Sequence, residues 1–269
     1  MRLGIIGCGA MARTLLAGLK HEDARLAAVI CLSSTRSLAQ SQNLLADYPW
    51  PAETYDHLTD FLAAQPDLVV EAAGQEAVRL YGSQILAAGV DFGIASVGAL
   101  ADDTLHQQLL AAAKISNAKL HILPGAVGGI DILAAARLSG IHEVVYTSRK
   151  PPLAWRGTKA EAHLRLDNLQ EPFAFFTGSA RDAASNFPQN ANVAATIALA
   201  GIGLDATRVE LVADPTVERN VHELHFVSGC VEAKLRIEGK ASPDNPKTSQ
   251  TAGFGMARFV LNHLNQEAV

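Results

Sequence analysis

Apolar runs of strand length alternate with amphipathic segments over the first 123 residues. Three of these runs, Arg2–Ile6, Leu26–Leu32 and Asp67–Ala73, are typical of parallel strands covered on both faces. The full set of predicted strands is Arg2–Ile6, Leu26–Leu32, Asp67–Ala73, Val90–Ile94 and Lys119–Leu123, and the predicted helices are Met11–His21, Ser37–Tyr48, Ala77–Ala88 and Thr104–Ser116. Strands that alternate with helices in this way predict an α/β fold with a doubly wound parallel sheet.

The pattern changes after Pro124, where a glycine-rich turn, Gly125–Gly129, leads into a predicted helix at Ile130–Leu138. Segments rich in β-branched residues follow and predict an α+β domain with a mixed or antiparallel sheet. Its predicted elements are strands at Glu143–Ser148, Arg208–Ala213, His222–Val227 and Glu232–Ile237, a helix at Asn192–Ala200, a hairpin turn at Gly229–Cys230, a loop at Ser242–Lys247 and a last helix at Ser249–Leu264.

The turn after the first strand carries a nucleotide-binding motif. Gly7-Cys8-Gly9-Ala10-Met11-Ala12 matches G-x-G-x-x-A, and it follows a strand and opens a helix, which is the context that gives the motif its meaning. Gly7 allows the tight turn, Gly9 lets a pyrophosphate approach the backbone, and Ala12 lets the helix pack on the strand. We therefore expect Gly7, Gly9, Ala10, Met11 and Ala12 to bind a dinucleotide at a helix N-terminus.

The acidic residue that usually binds the ribose hydroxyls about 20 residues later is missing. The second strand runs instead into Ser33-Ser34-Thr35-Arg36. Hydroxyls and one arginine suit a 2′-phosphate, so Ser34 and Arg36 are predicted to contact the cofactor and both NAD and NADP are expected to bind. The alternative is that these residues only cap the next helix, since Ser and Thr are common N-caps.

Bulk composition excludes several classes of protein. The chain has 269 residues, is 49% hydrophobic and carries a net charge of −5 without a basic run, which argues against a nucleic-acid partner. No apolar run reaches the roughly 18 residues that span a bilayer, so no membrane partner is expected. The three cysteines are an odd, sparse set, so no disulfide framework is predicted. Neither a C-x-x-C nor a His-x-x-x-His pair is present, so no metal site is predicted. Because the first strand begins beside Met1, no leader peptide is expected, and we predict a cytoplasmic location.

Four segments in the second half are more specific: PGAVGGID at 124–131, NFPQNANVAA at 186–195, ADPTVERNVHE at 213–223 and SPDNPKTS at 242–249. Together with GCGAMA at 7–12 and SVGALAD at 96–102, they closely resemble the L-aspartate dehydrogenase family in the same order over essentially the whole chain. The resemblance implies oxidation of L-aspartate to iminoaspartate with NAD or NADP, as a reversible reaction. The imine feeds NAD biosynthesis or hydrolyses to oxaloacetate and ammonia.

The resemblance also implies roles for three residues. His222 corresponds to the family's active-site histidine, and Ala126 and Asn192 correspond to its cofactor contacts. A homodimer is the usual state of this family. These expectations give a Rossmann-type dinucleotide-binding domain at 1–123, a substrate, catalytic and dimerisation domain at 124–248, and a final helix within 249–269 that packs back on the first domain.

Apart from the resemblance, the residue types leave several interpretations of His222, His225 and Asn192 open. A histidine titrates close to neutral pH, which suits His222 for accepting or relaying a proton, although a surface histidine on a sheet edge fits the same position. With a period of two, His222 and His225 point to opposite faces, so only one of them should face the site. Asn192 either caps or opens its helix, or donates its amide to the cofactor and substrate.

A dicarboxylate substrate needs cations or convergent donors. Lys247 and Thr248, just before the last helix, are the first choice for binding it. Weaker candidates lie on a segment that reads as a loop: Arg149, Lys150, Arg156 and Lys159. Any of these is more often a solvated surface charge.

Other enzymes share this two-domain plan. Dihydrodipicolinate reductases should show adjacent histidines, and sugar-type oxidoreductases should show Glu-Lys-Pro where this chain has Ser96-Val97-Gly98. A related amino-acid or homoserine-type dehydrogenase stays open as a chemical cousin. A non-catalytic NAD(P)-binding sensor would keep the Gly7–Ala12 turn but lose the site residues of the second half. This chain keeps Asn192, His222 and Lys247, which favours an enzyme.

Overall fold

A computed structural model describes residues 1–188, 191–242 and 245–268, with the backbone alone given for residues 241, 242 and 245–248. The chain divides into two compact units. The first unit is Met1–Gly125 together with Ala252–Val269, and the second is Ala126–Thr251. No helix within these described ranges is long and apolar enough to cross a membrane.

The first unit is built on a six-stranded parallel sheet. Its strands are β1 (Arg2–Ile6), β2 (Ala28–Leu32), β3 (Ala52–Tyr55), β4 (Leu68–Glu71), β5 (Asp91–Ile94) and β6 (Leu120–Ile122), and its helices are α1 (Ala10–His21), α2 (Leu38–Ala46), α3 (Leu58–Ala63), α4 (Gln75–Ala87) and α5 (Asp103–Ser116). The strand order is β3-β2-β1-β4-β5-β6, the Rossmann order, so the direction of winding reverses between β1 and β4. Sheets of this kind bind ligands beyond the carboxyl ends of the strands at that reversal.

The second unit contains a mixed five-stranded sheet and several short helices. Its elements are α6 (Ile130–Ala136), β7 (Ile141–Lys150), β8 (Phe173–Ser179), α7 (Ala180–Asn186), α8 (Asn192–Ala200), β9 (Arg208–Ala213), β10 (Asn220–Ser228), β11 (Glu232–Gly239), β12 (Ala241–Ser242) and β13 (Asn245–Ser249). The sheet order is β11-β10-β7-β9-β8, in which β7 and β9 are parallel and the other neighbours are antiparallel. The predicted mixed sheet is confirmed.

The last helix, α9 (Gln250–Leu264), continues from the second unit into the first. Its apolar face belongs to the same buried cluster as the inner face of α1: Leu15, Leu16 and Leu19 with Met256, Ala257, Val260 and Leu261. The two helices approach closely, because a Cβ on Gly18 would lie 2.9 Å from the Cβ of Ala257. The C-terminal helix is therefore part of the core of the first unit.

The structure differs from the predicted elements of the second unit in two places. The predicted loop at Ser242–Lys247 is wrong at Ser242 and from Asn245 onward, because Ala241 pairs with Ser249 and Ser242 pairs with Asn245 in two short antiparallel strands, while residues 243 and 244 lie outside the described residues. Proline, aspartate and asparagine indicate a turn but do not show that the flanking backbone groups pair with each other. The predicted helix at Ile130–Leu138 ends at Ala136 and continues as a 3₁₀ turn over Arg137–Ser139.

Candidate functional site

The turn from β1 into α1 requires glycine at its first position. Gly7 has φ +84°, and a Cβ there would lie 2.6 Å from the Cβ of Ala73, which is closer than real Cβ atoms come. The Gly7 amide donates to the carbonyl of Leu32 at 2.9 Å, so the turn is tied to the end of β2. Any side chain at this position would both strain the backbone and collide with the chain after β4.

Gly9 has a different role in the same turn. It occupies the N-cap of α1 with φ −89°, and no side chain caps the helix there. A Cβ on Gly9 would meet no atom within 4 Å, so it would project into open space. The first N–H groups of a helix have no intrahelical acceptor and point along the positive end of its dipole, which is what a pyrophosphate needs. The turn therefore fits a dinucleotide.

A cavity of about 390 Å³ opens beside this turn. Among its lining residues are Gly7, Gly9, Ser34 and Tyr81. The alternative that Ser34 caps the following helix is not supported, because its hydroxyl bonds to the Ser37 hydroxyl at 3.0 Å and makes no cap hydrogen bond. Arg36 is exposed on the 3₁₀ turn that follows Ser34.

A buried carboxylate, which sequence reasoning missed, lies next to the phosphate turn, the turn formed by Gly7–Ala12. Glu71, the last residue of β4, is fully buried, and its Oε1 accepts hydrogen bonds from the amides of Ala73 at 2.7 Å and Gly74 at 2.6 Å. The Ser96 amide donates to Oε2 at 2.9 Å, and the Ser96 hydroxyl donates to Oε1 at 3.0 Å. Burial raises the pKa of Glu71, and these hydrogen bonds oppose the rise. Glu71 thus holds together the two loops that follow β4 and β5 at the carboxyl edge of the sheet, through Ala73 and Gly74 in the first loop and Ser96 in the second.

In the second unit, His222 lies on β10 with 6% of its surface exposed. Its Nδ1 is 2.7 Å from the hydroxyl of Tyr146 on β7, and the two rings are nearly parallel at an angle of 13°. The Ser148 hydroxyl hydrogen-bonds to Tyr146 in turn, and both Tyr146 and Ser148 are buried. Since a hydroxyl both donates and accepts, this pair satisfies Nδ1 in either tautomer and leaves Nε2 to act.

The surroundings of His222 favour the neutral imidazole. Burial lowers the pKa of His222 to about 4, and the positive charge of Lys150 contributes to the same shift. Lys150 follows Tyr146 and Ser148 at alternate positions on β7, so the three residues share a face of the sheet. At neutral pH, His222 is therefore uncharged and available as a proton acceptor.

Stability should depend on pH through His222. The pKa is about 4 in the folded protein and 6.5 in the reference state, so the unfolded chain binds the proton more readily between these values. Stability is therefore lost as the pH falls from about 6.5 to 4, by up to about 3 kcal/mol. Urea unfolding of the wild type and His222→Gln at pH 7 and pH 4.5 measures the difference, with His225→Gln as the matched control. Equal loss of stability in the wild type and His222→Gln would contradict the assignment.

His225 and Arg149 each pair with acidic side chains rather than with His222. His225 is half-buried, and its Nε2 lies 3.1 Å from Glu232. Arg149 and Lys150 are not on a loop, as the sequence suggested, but at the end of β7. The Arg149 guanidinium is 2.7 Å from the carboxylate of Glu223 and 3.5 Å from that of Asp214, so it is paired with two acids.

A cavity of about 340 Å³ lies at the start of β10 and the end of β11. Its lining includes Arg219, Asn220, Lys240 and Ser249. The Ser249 hydroxyl is buried and, within the described part of the chain, has no hydrogen-bond partner. Such groups are rare in proteins, and a functional role, an ordered water and a bound ion are among their explanations. Asn220 and His222 share a face of β10 because they are two residues apart. Sequence reasoning missed this cavity, since its two cations are far apart in the chain.

The remaining predicted residues belong to the second unit. Ala126 is buried, and Asn192 is the first residue of α8, whose N-cap is Ala191, so Asn192 opens its helix rather than capping it. The glycine turn before α6 has a packing reason, because a Cβ on Gly129 would lie 2.6 Å from Leu235. The side chains of Lys247 and Thr248 lie outside the described residues.

Comparison with known proteins shows similarity over the whole chain. An L-aspartate dehydrogenase of Ralstonia pickettii is 40% identical over 270 residues, covering 100% of both chains. An L-aspartate dehydrogenase of Acinetobacter baumannii is 40% identical over 265 residues, covering 98% of this chain and 97% of the relative. The similarity therefore extends over both units.

Family models and solved structures agree with these relatives. Residues 131–263 match the aspartate dehydrogenase C-terminal model, and residues 7–123 match the NAD binding domain of homoserine dehydrogenase. A crystal structure of an aspartate dehydrogenase from Thermotoga maritima superimposes with a TM-score of 0.77 and 26% identity, covering 100% of this chain and 99% of that one. The homoserine dehydrogenase match is confined to the nucleotide-binding half, so it does not bear on the substrate.

Proposed function

This chain belongs to the L-aspartate dehydrogenase family, and we propose from that premise that it oxidises L-aspartate to iminoaspartate with NAD or NADP as the cofactor. The imine hydrolyses to oxaloacetate and ammonia or feeds NAD biosynthesis, and the reaction is reversible. The observation that carries the proposal is the buried, neutral His222 held by Tyr146, in a chain that also folds the dinucleotide-binding turn.

The first unit supplies the cofactor contacts. Gly7, Gly9, Ala10, Met11 and Ala12 hold the pyrophosphate, because the turn offers unpaired backbone donors and no side chain blocks their approach. Ser34 and Arg36 are placed after β2, where the adenosine ribose binds in folds of this type. We propose that Arg36 tolerates a 2′-phosphate, which permits NADP as well as NAD. Ala126 and Asn192 are proposed as further cofactor contacts from the second unit.

The chemistry follows from the state of His222. When bound, the nicotinamide would supply the acceptor for a hydride from Cα of the substrate, and that chemistry needs the substrate's amine in its deprotonated form. His222 is neutral at neutral pH, and its Nε2 can accept the amine's proton while Tyr146 satisfies Nδ1. A pKa of about 4 makes His222 a weak base in the free enzyme. The two carboxylates of bound aspartate raise this pKa, because nearby negative charge favours the imidazolium.

We propose that the cavity at the start of β10 holds a substrate carboxylate. Arg219 and Lys240 supply cationic donors there, and the Ser249 hydroxyl is a polar group that the described chain leaves unsatisfied. Lys150, whose charge acts on His222, is a further cation on the same face as Tyr146. Lys247 and Thr248, the residues favoured by the sequence, stay candidates from the neighbouring strand β13.

Arg219→Ala should raise the KM for L-aspartate by roughly 10- to 100-fold, since a hydrogen bond to a charged group contributes about 1.5–3 kcal/mol. The KM for NAD should be unchanged, because Arg219 is not among the proposed cofactor contacts. Arg208→Ala, which removes an exposed arginine paired with Glu210, is the matched control. An unchanged KM for aspartate in Arg219→Ala would remove this cavity from substrate binding.

The direct test adds L-aspartate with either cofactor to the purified protein at alkaline pH and follows the absorbance of the reduced nicotinamide. L-homoserine in place of aspartate tests the alternative substrate class, and the KM values for NAD and NADP give the cofactor preference. Activity with L-homoserine alone would assign the chain to the alternative substrate class, and a protein that binds NAD(P) but reduces neither cofactor with either substrate would be a sensor rather than a dehydrogenase.

Two further properties are proposed on the family's precedent and the chain's composition. A homodimer is expected, and light scattering of the purified protein measures its mass. A cytoplasmic location is expected because all three cysteines, Cys8, Cys31 and Cys230, are free thiols, which persist in a reducing compartment.

A further inference from the structure

A second cluster of polar side chains lies in the first unit, at the opposite edge of the sheet from the phosphate turn. It consists of Asp91, the first residue of β5, His121 of β6 and His263 of α9. Each offers one ligand atom, and the three atoms all lie within 4.8 Å of one another. His121 Nε2 is 3.3 Å from Asp91 Oδ2. The dehydrogenase reaction uses none of these groups.

We propose that Asp91, His121 and His263 bind a divalent transition-metal ion of the Zn²⁺ class. Three atoms that are no more than 4.8 Å apart all lie within about 2.8 Å of one common point, whereas Zn–N and Zn–O bonds are about 2.0–2.2 Å long. Side-chain movements of less than about 1 Å therefore complete the coordination. Because the ligands come from two strands and the last helix, the ion ties α9 to the sheet.

The groups around the cluster orient two of its ligands. His263 Nδ1 is 2.9 Å from the carbonyl oxygen of Phe259. A carbonyl only accepts, so Nδ1 carries the hydrogen and Nε2 presents its lone pair. The second oxygen of Asp91, Oδ1, accepts from the Lys119 amide at 2.7 Å. Metal-binding histidines and carboxylates are held in this way, with the atom that does not bind the metal fixed by a hydrogen bond.

The surroundings and the ligand types of the cluster suit a transition-metal ion. The side chains of His121 and Asp91 are 25% and 30% exposed, so two of the three ligands are partly shielded from solvent. The Phe259 ring packs on both histidines, with centroid distances of 4.9 Å to His121 and 4.5 Å to His263. Two imidazoles and one carboxylate favour Zn²⁺, Co²⁺, Ni²⁺ or Cu²⁺ over Mg²⁺ and Ca²⁺.

The test is a Zn²⁺ titration of the full-length protein after treatment with a chelator, followed by calorimetry and thermal unfolding. One equivalent should bind, and Zn²⁺ at 100 times the Kd should raise the Tm by about 5 °C or more, since an ion that binds only the folded state stabilises it. Mg²⁺ should give no shift. His263→Gln and Asp91→Asn should each weaken Zn²⁺ binding at least tenfold and reduce the Tm shift.

His21→Gln is the matched control, because it removes an exposed histidine of the same unit outside the cluster, and it should bind Zn²⁺ like the wild type. The Tm of each variant without metal shows that it folds. Co²⁺ provides a second readout, since ligation by thiolates gives an intense charge-transfer band that nitrogen and oxygen ligands lack. Absence of Zn²⁺ binding, binding that survives both cluster substitutions, or a thiolate band would each overturn the proposal.

Discussion

His222→Ala is expected to lower the turnover number for L-aspartate by roughly 10²–10⁴-fold, the usual contribution of a general acid or base. The reason is the position of the imidazole: it is 6% exposed, uncharged at neutral pH, and fixed at Nδ1 by the Tyr146 hydroxyl at 2.7 Å. Without it, no group described on this face of β10 replaces the proton acceptor. Steady-state kinetics at saturating aspartate and cofactor measure the effect.

Two companion variants separate catalysis from stability. His222→Gln keeps most of the volume and a polar group but does not titrate, so it should lose turnover as severely as His222→Ala while its Tm stays closer to that of the wild type. Tyr146→Phe removes the hydroxyl that holds Nδ1 and should give a smaller loss of turnover together with a changed pH profile. Cofactor affinity should stay within a factor of about two in all three, because neither His222 nor Tyr146 is among the proposed cofactor contacts. Wild-type turnover in His222→Ala would remove this residue from the mechanism.

Gly9→Val is expected to weaken NAD(P) binding at least 100-fold. The new side chain would project from the N-cap of α1 into the space that a pyrophosphate must enter, where a Cβ meets no protein atom within 4 Å. Loss of one or two charged hydrogen bonds to backbone amides costs about 3 kcal/mol, which corresponds to roughly 100-fold in affinity. Titration of the protein's fluorescence with reduced cofactor measures the change.

The fold should survive Gly9→Val. Its backbone angles, φ −89° and ψ −161°, are extended and acceptable for a β-branched residue, so the cost in stability is at most about 1 kcal/mol. Gly7→Ala provides the contrast, because φ +84° and the 2.6 Å approach to Ala73 make that variant lose stability as well as cofactor binding. Wild-type cofactor affinity in Gly9→Val would show that the pyrophosphate does not use this turn.

The sequence predicted the central strands of the first unit well but missed its edge. β1, β2 and β4 are buried almost throughout, so each reads as an apolar run. The strand β3, Ala52–Tyr55, is half-exposed at the edge of the sheet and lacks that signal. The helix α7 was also missed, although Ser179 and Asp182 form a capping box at its start, a pattern that is readable from the sequence.

The sequence predicted the residues of the candidate site that belong to local motifs, but not those that meet through pairing between strands. The sequence pointed to His222 and to the glycines of the turn, because each belongs to a local motif. It did not point to Tyr146, which reaches His222 through the register that aligns Tyr146 with Leu224 and Ser148 with His222 on the neighbouring strand. Glu71 escaped notice because it ends an apolar strand, and its partner Ser96 follows a different strand. Pairings across strands depend on register, which a single sequence does not specify.

The split composition of the first unit has a consequence for synthesis. Residues 126–251 are inserted between the two parts of that unit, and the inner face of α1 packs against α9, which is synthesised after the inserted unit. The inserted unit is therefore complete before the core of the nucleotide-binding unit can close. During that interval Leu15, Leu16 and Leu19 lack the covering that α9 provides, which leaves part of an apolar face open to aggregation.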